Sequence, residues 1–173
     1  MKKNILVILT TTILINPLFA IEAKQIGDAL LVLIPSITLG TELYYDNKEG
    51  QNQFYKAFAT NAVVTYGLKY GVNRERPNGE SYSFPSGHTS ATFQSASFIH
   101  KRYGLKYAIP AYIGATFVGY SRVHANVHHK SDVLAGAIIG SLSSFYFTTN
   151  YKRFKIEPII IGSGYGIGIK KTW

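Results

Sequence analysis

Three short clusters of residues could grip a phosphate and attack it. Lys69 is followed after six residues by Arg76-Pro77; Ser83-Phe84-Pro85-Ser86-Gly87-His88-Thr89-Ser90 comes next; Ser121-Arg122 is followed after five residues by His128 and after three more by Asp132. Taken singly, each has an ordinary structural explanation. Lys69 and Arg76 fall near a helix end, where cations pair favourably with the helix dipole. Ser86 could be a plain N-cap and Gly87 a turn, but that reading gives His88 no task. The functional reading is that backbone N–H groups at this helix start meet an anion, with Gly87 allowing a close approach. If the last helix begins around His128, Asp132 lies on the same face one turn away. A carboxylate bonded to one imidazole nitrogen fixes the tautomer and leaves the other nitrogen's lone pair for the substrate.

In this order the clusters resemble the type 2 phosphatidic acid phosphatase superfamily, whose pattern is K-x-x-x-x-x-x-R-P, then P-S-G-H, then S-R-x-x-x-x-x-H-x-x-x-D. Every fixed position is present, and the resemblance covers roughly residues 26–150. It implies that Lys69, Arg76 and Arg122 hold the phosphate oxygens, with Ser86 and Gly87 adding hydrogen bonds. It also implies that His128 attacks phosphorus, Asp132 orients His128, and His88 protonates the departing oxygen and then activates water. The chemistry is self-consistent, because fixed cations and backbone donors stabilise a phosphoryl group in flight without a metal or other cofactor. An in-line displacement needs nucleophile and acid on opposite sides of phosphorus, which two histidines from separate segments can provide. The superfamily includes membrane lipid phosphatases, soluble bacterial acid phosphatases and vanadium-dependent haloperoxidases. The motif identifies the site and not the branch, although the small size disfavours a haloperoxidase.

The remaining histidines fit structural roles. His100 lies beside Lys101 and Arg102 at a helix end, and His124 and His129 flank the nucleophile. A zinc site from His124, His128 and His129 is unattractive, because no cysteine or paired carboxylates complete it. With no cysteine in the chain, disulfides and thiolate chemistry are excluded.

The elements that must position these residues are helices. Apolar spacing predicts five, near 26–44, 52–71, 88–103, 106–120 and 131–149, an all-α bundle of about five to six helices. Residues 1–20 match a secretory signal peptide: Met1-Lys2-Lys3, an apolar stretch from Ile5 to Ile15, then Pro17-Leu18-Phe19-Ala20. Residues 21–153 form the catalytic domain, and 154–173, with its Gly162-Ser163-Gly164 turn, reads as a short C-terminal β-hairpin extension. These features predict an exported, periplasmic enzyme.

Charge points the same way. The formal charge of +9 falls to +7 when Lys2 and Lys3 leave with the signal, which favours phosphate esters or acidic lipid surfaces. Nucleic acid is disfavoured by export and by the lack of any block of like charge. Within the predicted helices uncharged runs are short, 13 residues between Asp28 and Glu42 and 15 between Lys106 and Arg122, while Val133 to Tyr151, 19 residues, matches a span. Run length thus favours a compact domain against a membrane over a multi-spanning one. The expected function is hydrolysis of phosphorylated membrane lipids. The runner-up is a soluble broad-specificity acid phosphatase, and a non-catalytic envelope binding protein comes last. A Gly136 and Gly140 pair suits close helix packing.

Overall fold

In the computed structural model, residues 22–151 are described with their side chains. Outside that range only backbone elements are assigned, namely the first part of α1 and antiparallel strands at Phe154–Ile161 and Gly164–Lys171. The hairpin and signal-peptide expectations fall there, outside the fully described residues. The elements among the residues described with side chains are all helical, within α1 (Lys2–Tyr44), α2 (Lys48–Val72), α3 (Gly87–Tyr103), α4 (Leu105–His124) and α5 (Lys130–Phe147).

Local chemistry explains the boundaries. Asn47 caps α2 by accepting from the Gly50 amide at 3.2 Å, and Asn73 ends it in the left-handed conformation, φ 43° and ψ 46°. Ser86 caps α3, and Gly104, at φ 102°, ends it. α4 runs to His124, further than the expected 120, so Arg122 lies in a helical last turn and not in the connection. Asn126, at φ 55°, then folds the chain back, so that the Val127 and His128 amides both donate to the Arg122 carbonyl, at 3.1 and 3.3 Å. α5 starts at Lys130, two residues later than a start at His128 would place it.

α3 is the central helix and packs against all four others, most extensively against α5. Its buried face is mostly small and polar: Thr89, Ser90, Thr92, Ser95, Ala96 and Ser97. The expected glycine contact sits here. A Cβ on Gly136 would lie 2.5 Å from the Ser86 carbonyl oxygen, and one on Gly140 would lie 2.1 Å from that of Ser90. Backbone-to-backbone contact is therefore what brings the start of α5 to the start of α3.

At the opposite end of the bundle a buried ion pair ties three helices. Arg102 Nε lies 3.3 Å from Glu42 Oε1, Tyr103 Oη donates to the same oxygen, and Gln51 donates to the Glu42 carbonyl. Arg102 also donates to Gln53 and accepts from the Tyr151 amide. Both charged side chains are almost wholly buried, where each would be costly without the other.

Candidate active site

The starts of α3 and α5 and the ends of α2 and α4 meet at one end of the bundle, together with residues 24–31 of α1. Between them lies a cavity of about 680 Å³ lined by Lys69, Arg76, Gly87, His88, Arg122 and His128. One wall is apolar, formed by Leu31, Phe58 and Ala62.

His128 is only 4% exposed. Its Nδ1 faces Ser83 Oγ at 3.4 Å and Asp132 Oδ2 at 3.7 Å, which leaves Nε2 for the cavity. Ser83 Oγ donates to Asp132 Oδ2 at 2.5 Å, so its oxygen can accept a hydrogen bond from Nδ1–H and relay the carboxylate's influence. Asp132 is fully buried and saturated: Oδ2 also accepts from the His129 amide at 2.9 Å, and Oδ1 accepts from Arg74 at 2.9 Å. Burial, reinforced by Lys69 and Arg76, pulls His128 down to about 4 against the opposing pull of Asp132. The imidazole is therefore neutral, with a free lone pair, across the ordinary pH range.

The cations are held in place before any anion arrives. Lys69 Nζ donates to the carbonyls of Tyr82 and Pro85 at 2.7 and 3.0 Å, which uses two of its three protons. Arg76 pairs with Glu80 at 2.8 Å, while its buried Nε has no hydrogen-bond partner among the described residues. Arg76 itself lines the cavity, so its guanidinium is placed where a phosphate oxygen would meet it. Arg122 spends its fork on neighbours: Nη1 to Asp28 at 2.7 Å, Nη2 to the Lys24 carbonyl at 2.7 Å, and Nε to Ser121 at 3.1 Å.

Ser86 is set apart from the other motif residues. It is fully buried, does not line the cavity, and gives its amide to the Asp132 carbonyl at 2.9 Å. Its hydroxyl meets Thr89, so in this structure it acts as cap and strut. Gly87 and His88 supply the first-turn amides that a helix leaves without an internal acceptor, and both line the cavity.

A family model described as the PAP2 superfamily matches residues 53–156, well over half of the chain. The chain belongs to the PAP2 superfamily. Among its relatives, a lipid A 4'-phosphatase of Helicobacter pylori is 30% identical over 87% of this chain and 85% of its own length. The phosphatidylglycerophosphatase B of Bacillus subtilis is 33% identical over 73% of this chain and 71% of its own. A lipid A 1-phosphatase of Porphyromonas gingivalis is 44% identical over 43% of this chain, a stretch that spans 18% of that protein. The crystal structure of Aquifex aeolicus LpxE shares the fold, with a TM-score of 0.66 over 76% of this chain and 86% of that one at 24% identity. The transmembrane PAP2-type phosphatidylglycerolphosphate phosphatase of Bacillus subtilis gives 0.60 over 77% and 74%, at 26% identity.

Sequence reasoning missed Asp28, Arg74 and Glu80 as partners of the site, and gave Ser83 no role. Arg74 and Glu80 stand within two and four residues of Arg76, the only hint available. Asp28 had none, since it lies 60 residues before the histidine it touches. His100, His124 and His129 keep structural contacts: His100 bonds Tyr112, His124 stacks on Tyr120, and His129 caps α5 while its Nε2 meets the Glu75 carbonyl.

Proposed function

We propose that this protein removes phosphate from phosphorylated membrane lipids, within a bilayer that its helices span, through a phosphohistidine on His128. As a PAP2 superfamily member similar to lipid A and phosphatidylglycerophosphate phosphatases, it is a phosphoric ester hydrolase. The observation that carries the lipid reading is an inverted distribution of polarity. Thr92, Gln94, Ser95 and Ser97 are fully buried, while Val32, Ile37, Ile113, Leu134 and Leu142 are each more than 60% exposed. Water would penalise that apolar exterior at about 25 cal/mol per Å². Lipid does not, and small polar residues are suitable contacts between helices in a membrane.

Lengths agree with this reading. Helices α2 to α5, of 17 to 25 residues, extend about 26–38 Å at the helical rise, against a hydrocarbon core of about 30 Å. Within α1, Glu22–Tyr44 is 23 residues long and contains an 18-residue stretch with a mean hydropathy of 1.5. A signal peptide removed at the outer face would leave α1 entering from that face, and Lys24 and Asp28 lie at the catalytic end. The site then opens outward, toward the lipids of the outer surface.

In the proposed reaction the neutral His128 Nε2 attacks phosphorus while Asp132 and Ser83 hold Nδ1. Lys69, Arg76, Arg122 and the amides of Gly87 and His88 take the charge on the equatorial oxygens. His88 gives a proton to the departing oxygen, and water later releases the phosphate from His128. Similarity to a lipid A 4'-phosphatase along most of the chain supports putting phosphorylated lipid A first among the proposed substrates. Phosphatidylglycerol phosphate, phosphatidate and polyprenyl diphosphate follow. The test is phosphate release by the purified full chain in mixed micelles, with chelator present, from lipid A, phosphatidylglycerol phosphate and glycerol phosphate. Lipid phosphates should exceed glycerol phosphate by about a hundredfold in kcat/KM, because remote binding energy drives the chemistry. Equal rates on all three would point instead to a broad-specificity acid phosphatase.

A further inference from the structure

The family motif accounts for one carboxylate at the site, Asp132 behind His128. The structure adds two more at the cavity, Glu80 on Arg76 and Asp28, and Asp28 lies on a helix that the family match of residues 53–156 does not include. Asp28 of α1 places Oδ1 3.0 Å from His88 Nε2 and 2.7 Å from Arg122 Nη1, and it lines the same cavity. Its placement is built in. A Cβ on Gly27 would lie 2.2 Å from Ser121 Oγ and 2.6 Å from Arg122 Nη2, so only glycine lets α1 sit this close to α4. One turn earlier, the Lys24 carbonyl accepts from Arg122 Nη2 at 2.7 Å. α1 is thus docked on the site at two points, with Asp28 between the phosphate-binding arginine and the second histidine.

We infer that Asp28 is a positioning residue for the general acid: it holds His88 by Nε2 and stabilises the imidazolium that must surrender a proton to the leaving group. The inference rests on the phosphohistidine reading above. An ionised carboxylate only accepts, so Nε2 must carry the hydrogen that faces Asp28. The other ring nitrogen, Nδ1, is then the one that exchanges a proton with the reaction. As the His128 nitrogen forms its bond to phosphorus, the bond from phosphorus to the leaving oxygen breaks, and its electron pair takes the Nδ1 proton. His88 is left neutral, with Nε2–H still on Asp28 and with Nδ1 free to take a proton from the water that hydrolyses the phosphohistidine. Each histidine therefore has a carboxylate behind one ring nitrogen, Asp132 for His128 and Asp28 for His88. Asp28 offers His88 the counter-charge that a proton donor needs.

The experiment compares Asp28→Asn with wild type in full-length, micelle-bound protein on two phosphates of different leaving group, dodecyl phosphate and 4-nitrophenyl phosphate. Values of kcat/KM report the step in which the leaving group departs. An alkoxide needs its proton and a nitrophenolate does not. Asp28→Asn should lose about a hundredfold on dodecyl phosphate and tenfold or less on 4-nitrophenyl phosphate, with vanadate inhibition constants within about threefold of wild type. Asp28→Glu should recover part of the alkyl activity, and His88→Ala should show the same leaving-group bias. Equal losses on both substrates would overturn the inference and reduce Asp28 to a brace for Arg122. Gains on both would overturn it too, and would make Asp28 an anion that substrate must displace. If His88→Ala shows the bias and Asp28→Asn does not, the inference alone fails. If His128→Ala retains activity, the reading beneath it fails.

Discussion

Replacing Gly140 by alanine tests whether the contact between α3 and α5 sets the catalytic geometry. The new Cβ would stand 2.1 Å from the Ser90 carbonyl oxygen and 2.8 Å from the Gln94 amide nitrogen. Both belong to helix backbone and cannot swing aside. Relaxing the shorter contact from 2.1 Å to an ordinary 3.4 Å requires the helices to part by about 1.3 Å. Overpacking of this kind costs about 1–3 kcal/mol of stability. The larger effect should be on rate. α3 opens with Gly87 and His88, while α5 carries Asp132 and follows directly on His128, so parting the helices changes the gap that phosphorus must bridge. A displacement of about 1 Å from a remote substitution can cost on the order of a hundredfold in rate. Gly140 is eight residues from Asp132, about 12 Å along the helix, so no direct contact with substrate explains such a loss. Gly40→Ala is the control, because a Cβ there meets nothing within 4 Å and should add up to about 1 kcal/mol of helix propensity. The assay is kcat/KM on a lipid phosphate alongside the thermal midpoint in the same detergent. Wild-type kcat/KM and an unshifted midpoint for Gly140→Ala would refute the reasoning.

Three further outcomes are expected. With His128 held down to about 4, its attacking form persists through weakly acidic conditions. The acidic limb of kcat/KM should therefore fall as pH drops through about 4; a limb near the ordinary histidine value would contradict the burial argument. Arg122→Lys should lose about a hundredfold or more in kcat/KM, since a lysine cannot reach Asp28, the Lys24 carbonyl and phosphate together, while Lys69→Arg should cost less. Side-by-side steady-state kinetics check the order, and the reverse order would mean that the phosphate sits nearer α2 than α4. Asp132→Asn should lower kcat by less than His128→Ala does, because it disturbs the tautomer without removing the attacking nitrogen. Its pH profile should shift along with its rate, and an unaltered enzyme would remove Asp132 from the mechanism.

Much of this organisation was legible in the residue pattern. Periodicity located all five helices, and motif spacing singled out Lys69, Arg76, Gly87, His88, Arg122 and His128, which do line one cavity. Spacing cannot tell whether Ser86 is a cap or a ligand, because one serine can be either, and the contact from Gly136 to its carbonyl shows it buried in helix packing. Asp28 was invisible because its partners lie 60 and 94 residues away, with no spacing rule to link them. On the membrane-spanning reading proposed above, counting uncharged runs undervalues the membrane for a related reason. Asp28 and Arg122, which each bound one of those runs, turn toward the cavity, and Glu42, at the other end of the run that Asp28 begins, is buried against Arg102. Charges that satisfy one another inside a bundle do not interrupt its lipid-facing surface.

The central claim is a covalent phosphohistidine on His128, and rapid quenching of the enzyme with radiolabelled lipid phosphate tests it most directly. Wild type should yield a phosphoenzyme stable in alkali and labile in acid, with the label on His128 after proteolysis. His128→Ala should fold with a thermal midpoint near wild type, trap no label, and lose turnover altogether. A label on another residue, or turnover by His128→Ala within tenfold of wild type, would contradict the account.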